Sequence, residues 1–109
     1  MAEEMVSPAL ARVAARFTSR FPKHRAMLEE VRRDLHGNLP DLPLKEVQSM
    51  LHDLAGTAAP LGYPELGNLA SDAEGKVKTL RTSDAAMSSA LLQQVDDSLQ
   101  RVTKELEAS

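Results

Sequence analysis

Apolar side chains recur at intervals of three and four residues along every long segment of this chain, and nowhere do they alternate with polar ones over the length of a strand. Each residue of a helix advances by about 100°, so this spacing gathers apolar groups on one face, whereas a strand needs a period of two. β-Branched and aromatic residues are also few. The pattern predicts an all-α fold: an antiparallel up-and-down four-helix bundle with an additional N-terminal helix or kinked helix segment.

Ser7-Pro8 opens the first segment with a capping hydroxyl and a proline at the first helical position. Leu10, Val13, Phe17 and Phe21 follow, then Leu28, Val31 and Leu35. Pro22 interrupts the series without shifting its phase, which predicts a kinked helix or two consecutive helices ending near His36-Gly37. Residues 37–43 read as a turn. The next stripe is Leu44, Val47, Leu51, Leu54, Ala58 and Leu61, with Pro60 set to distort its last turn. Gly62-Tyr63-Pro64 breaks the chain before a second arm carrying Leu66, Leu69, Ala70, Ala73, Val77 and Leu80. Arg81 to Asp84 reads as a turn with a capping residue. The last segment carries Ala85, Leu92, Val95, Leu99, Val102 and Leu106, with Ser88 as its polar interruption. This stripe has the spacing of a dimerising seam, but a four-helix core needs one apolar face from each helix, so it is expected inside a monomer.

At 109 residues there is room for one core. A single domain over residues 1–109 is expected, with 1–6 as a flexible tail. The net charge of -3, with one Tyr, two Phe and no Trp, argues against a nucleic-acid partner, which needs positive charge and stacking surfaces. Cysteine is absent, so thiolate ligands, disulfides and a cysteine nucleophile are excluded. The start, Met1-Ala2-Glu3-Glu4-Met5, is acidic and leads into no apolar run, and no stretch approaches the roughly 20 apolar residues of a membrane span. A cytoplasmic protein with no membrane partner is expected. No GxxxxGK[ST], HExxH or GxSxG pattern occurs, so autophosphorylation from ATP, zinc hydrolysis and serine hydrolysis lack their motifs.

His52 lies more than about 90° from the centre of its helix's apolar stripe and should be exposed. Its neighbours on that face are Lys45, Gln48, Ser49, Gly56 and Ala59. Glycine inside a helix costs about 1 kcal/mol relative to alanine. Gly56 therefore suggests close approach by a partner, the alternative being relief of crowding within the bundle. In an antiparallel hairpin turning at Gly62 to Pro64, Glu74 can come near His52, where a carboxylate on one ring nitrogen would orient the other. His24 and His36 share no metal-ligand spacing with His52 and read as structural or surface residues.

The string His52-x-Leu54-x-Gly56-Thr57-Ala58-x-x-Leu61-Gly62, followed by Pro64-x-Leu66 and Glu74, resembles histidine-containing phosphotransfer (HPt) domains. The motif spans His52 to Glu74, and the helical order extends the likeness over almost the whole chain. The resemblance implies a four-helix bundle whose exposed histidine accepts phosphate from an aspartyl phosphate on a receiver domain and donates it to another. It implies His52 as phosphoacceptor and Glu74 as the group orienting the imidazole. Docking is expected to involve Gln48, Ser49, Ala55, Gly56 and Ala59. Partners would be receiver domains of response regulators or a hybrid histidine kinase. No cofactor is expected on this chain, since the magnesium ion belongs to the receiver. Many members carry lysine where Ala55 stands, and Lys45 and Lys78 are the candidates to supply that charge. The departure at Ala55 also leaves a second reading, a non-phosphorylated helical adaptor that binds a receiver or histidine kinase.

Overall fold

Pro22 has no N–H to offer the Thr18 carbonyl one turn back, and its ring crowds that oxygen. In the computed structural model, which describes residues 8–35, 43–82 and 89–109, the leading segment is accordingly two helices. These are α1 (Pro8–Ser19) and α2 (Phe21–Asp34), joined at Arg20. The Arg20 N–H turns back to the Phe17 carbonyl at 3.3 Å, and α2 begins with the His24 N–H on the Arg20 carbonyl at 3.0 Å. There follow α3 (Leu44–Ala58), a 3₁₀ turn (Ala59–Leu61), α4 (Pro64–Thr82) and α5 (Ser89–Ala108). The expectations placed on residues 1–6, Ser7, His36, the turn up to Leu42, Ala85 and Ser88 lie outside the described residues.

The core is built by α2 to α5, each supplying its apolar stripe. Helix α4 packs between α3 and α5, α5 packs on α2, and α2 closes the ring against α3. Neighbours run antiparallel: Arg25 meets Glu107 and Arg32 meets Asp96 across α2 and α5, while Asp72 meets Ser98 across α4 and α5. Leu92, Val95, Leu99, Val102 and Leu106 are buried, so this stripe of α5 serves the chain's own core. The buried hydroxyls are satisfied, Ser98 by Asp72 at 3.1 Å and Thr103 by the Leu99 carbonyl at 2.9 Å, whereas Arg25 Nε is enclosed without a hydrogen-bond partner.

Three expectations need correcting. The N-terminal stripe joins the core only from Phe21 onward: α1 buries no residue, with Leu10 42% and Val13 47% exposed. Phe17 anchors the helix through ring contacts with Phe21 at 5.0 Å and Tyr63 at 5.8 Å. The molecule measures 53 × 20 × 19 Å, whereas a helix of α5's 20 residues spans about 30 Å. Helix α1 thus lengthens the rod instead of joining its packed section. Second, α3 stops at Ala58, and the stripe's last member, Leu61, sits half-buried in the 3₁₀ turn around Pro60. Gly62 then reverses the chain at φ 97°, a conformation glycine adopts without strain, and the Tyr63 N–H caps the Ala58 carbonyl at 2.8 Å. Third, Arg81 and Thr82 are helical, not turn. Buried Leu80 holds the last turn of α4, and the Thr82 hydroxyl donates to the Lys78 carbonyl at 2.8 Å.

Gly67 sets the spacing of α3 and α4. A Cβ there would lie 3.4 Å from the Ala55 carbonyl oxygen and 3.6 Å from the Ala58 Cβ. That close approach brings the middle of α4 within side-chain reach of the exposed edge of α3. Among the described residues, no helix is long and apolar enough to cross a membrane.

Candidate functional site

His52 and Leu51 are adjacent in sequence and face opposite ways. Leu51 is fully buried, while the His52 side chain is 73% exposed. Across the hairpin Glu74 lies half-buried, with Oε2 3.1 Å and Oε1 3.3 Å from His52 Nδ1. An ionised carboxylate only accepts hydrogen bonds, so Nδ1 carries the proton and donates it. A neutral imidazole protonated there has its lone pair on Nε2, directed the other way around the ring. The pair therefore holds a nucleophilic nitrogen toward open space without burying it.

Lys45, Gln48 and Ser49 from α3 and Glu74 and Arg81 from α4 line a groove of about 330 Å³ with His52. Arg81 Nη1 donates to the Gln48 Oε1. Lys45 is in this groove and Lys78 is not among its lining residues. On the other side of His52, Gly56 is exposed, and a Cβ placed on it would meet no atom within 4 Å. Bundle packing thus gives no reason for glycine at this position. Ala59 is exposed in the 3₁₀ turn, whereas Ala55 is half-buried against the core.

Arg81 was not anticipated from the sequence, although it stands seven residues after Glu74 and so shares its face of α4. A second groove, of about 560 Å³, also escaped sequence reasoning because it exists only where the α1–α2 junction lies beside α3. Phe17, Met50 and Leu54 supply its apolar lining, and Arg20, His24 and Asp53 its polar one; Lys45 and Ser49 border both grooves.

His24 is half-buried there, and burial first, then the Arg20 charge, hold its pKa below the ordinary imidazole value. Above the unfolded-state pKa of about 6.5, both states keep His24 neutral. As pH falls below it, the unfolded chain takes the proton first, so this residue's contribution to stability declines until the folded-state pKa is passed. The fall in thermal midpoint between neutral pH and about pH 5 should therefore be smaller in His24→Gln than in the parent. Equal falls would contradict the assignment.

Among the described residues, no three His, Asp or Glu side chains converge as a metal site. A helical bundle that displays one carboxylate-held imidazole on a cleared face defines a narrow class of protein. The family model described as Hpt domain matches residues 17–105, nearly the whole chain, and the chain belongs to that family. Its members act in histidine phosphotransfer in two-component signalling and interact with receiver domains and kinases. Comparison with curated proteins and with solved structures returns no match.

Proposed function

We propose that this chain is a phosphorelay carrier that accepts phosphate on His52 from an aspartyl-phosphorylated receiver and passes it to another. The supporting observation is the division of labour on one ring: Nδ1 is tied to Glu74 and Nε2 is left accessible. In the forward step the Nε2 lone pair attacks phosphorus as the bond from phosphorus to the aspartyl oxygen breaks, and the aspartate leaves as a carboxylate. The proton stays on Nδ1, and the positive ring that results is stabilised by Glu74. No proton need leave the imidazole, and the return step is the same displacement reversed. Any magnesium ion belongs to the receiver, where it supplies charge neutralisation to the transferring group. This chain contributes position and access.

Docking follows from the surface around His52. Gly56 and Ala59 offer a face without bulk, and Ser49 leads from it to the larger groove beside α2. We place the receiver on this face, with the chain acting as a monomer in the cytoplasm. Gly56→Arg should slow transfer from a phosphorylated receiver at least about tenfold, the equivalent of about 1.4 kcal/mol. Its circular dichroism should be unchanged, since the new side chain projects into open space. Transfer at the parent rate would argue against docking here. Receiver binding that survives His52→Ala, with no phosphohistidine formed from any candidate donor, would replace the carrier with an adaptor.

A further inference from the structure

We propose that Arg81 is the cation that contacts the phosphoryl group carried by His52, with Gln48 holding it in place. The inference rests on the reading of His52 as phosphoacceptor and names the residue that meets the transferred charge. A phosphoryl group on Nε2 brings negative oxygens to an edge of α3 where the next turn offers only Ala55 and Gly56. Glu74, across the hairpin, is itself negative and is engaged on Nδ1. Stabilising charge must come from elsewhere, and the turn before His52 provides it.

Gln48 lies one helical turn before His52, and Arg81 reaches over from the last turn of α4 to bond it. Both border the groove that His52 lines. A guanidinium has five N–H donors in a planar fork suited to phosphoryl oxygens, and the bond to Gln48 uses only Nη1. Among the described residues no carboxylate forms an ion pair with Arg81. Lys45 shares the groove, but its ammonium is a single point charge and lacks the guanidinium's fork. Lys78 is not among the residues lining the groove. Gln48, which is neutral, fixes the direction of the guanidinium without offsetting its charge.

Arg81 neither gives nor takes a proton in this role. It stabilises the phosphoryl oxygens while the bond to Nε2 forms and afterwards in the phosphohistidine. A small donor separates this role from receiver docking. With zwitterionic phosphoramidate, the Nε2 lone pair attacks phosphorus, the donor's phosphorus–nitrogen bond breaks, and ammonia leaves; no receiver surface takes part.

The test measures the rate of phosphohistidine formation from phosphoramidate in the parent chain, Arg81→Gln, Arg81→Lys and a His52→Gln control. Arg81→Gln should react about tenfold more slowly, equivalent to about 1.4 kcal/mol, with an unchanged thermal midpoint, and Arg81→Lys should recover only part of the rate, because it returns the charge without the fork. Formation in Arg81→Gln at the parent rate, or no recovery with lysine, would overturn the proposal. If the parent reacts as fast as the His52→Gln control, the assignment of His52 itself has failed. Labelling confined to His52 with no effect of Arg81 refutes this inference alone.

Discussion

His52→Gln should abolish phosphate uptake from any phosphorylated receiver and leave the bundle intact. Glutamine has no nucleophilic ring nitrogen, so the expected loss is complete. The stability cost should be small, because the side chain is 73% exposed and its recorded contact is the one with Glu74. Surface substitutions of this kind usually change stability by no more than about 0.5 kcal/mol. Radiolabelled phosphate transfer, read beside a urea unfolding curve, checks both halves. An acid-labile label on the variant would remove His52 from its role, and a large drop in stability would show that the Glu74 contact is part of the fold's support.

Leu51→Ala, one residue earlier, should do the reverse. Leu51 is fully enclosed by the core, and truncating a buried leucine to alanine costs about 2–5 kcal/mol through lost burial and the cavity left behind. Small domains have only about 5–15 kcal/mol in total, so the unfolding midpoint should fall steeply. The folded fraction should still accept phosphate, since Leu51 contributes no atom to the groove around His52. A midpoint close to the parent's would contradict the placement of Leu51 at the centre of α3's buried face. The two neighbours thereby separate chemistry from stability within a single turn.

The phase of α3 was legible because Leu44, Val47, Leu51, Leu54 and Ala58 repeat at helical spacing, and that phase puts His52 outside. Glu74 was within reach of the same reasoning, since a hairpin turning at Gly62 brings the middle of α4 beside His52. Periodicity, however, shows which face of a helix is apolar and not whether anything covers it. Leu10 and Val13 accordingly belong to an apolar series and yet are exposed on α1. Arg81 was read as part of a turn because Thr82, Ser83 and Asp84 follow it. Its importance depends on a long side chain crossing to another helix, which no local pattern records. The groove near His24 is likewise a product of tertiary packing, formed where the α1–α2 junction at the Pro22 break lies beside α3. Gly56 lay between two readings, and the open space around it removes internal crowding as the reason for glycine.

The most direct measurement is nitrogen-15 and phosphorus-31 NMR of the chain after phosphorylation by a receiver, with the histidine rings labelled. The account predicts one phosphohistidine, at His52, with phosphorus bonded to Nε2 and the proton retained on Nδ1. Phosphorus on Nδ1, on another residue, or on no histidine with any receiver would contradict it.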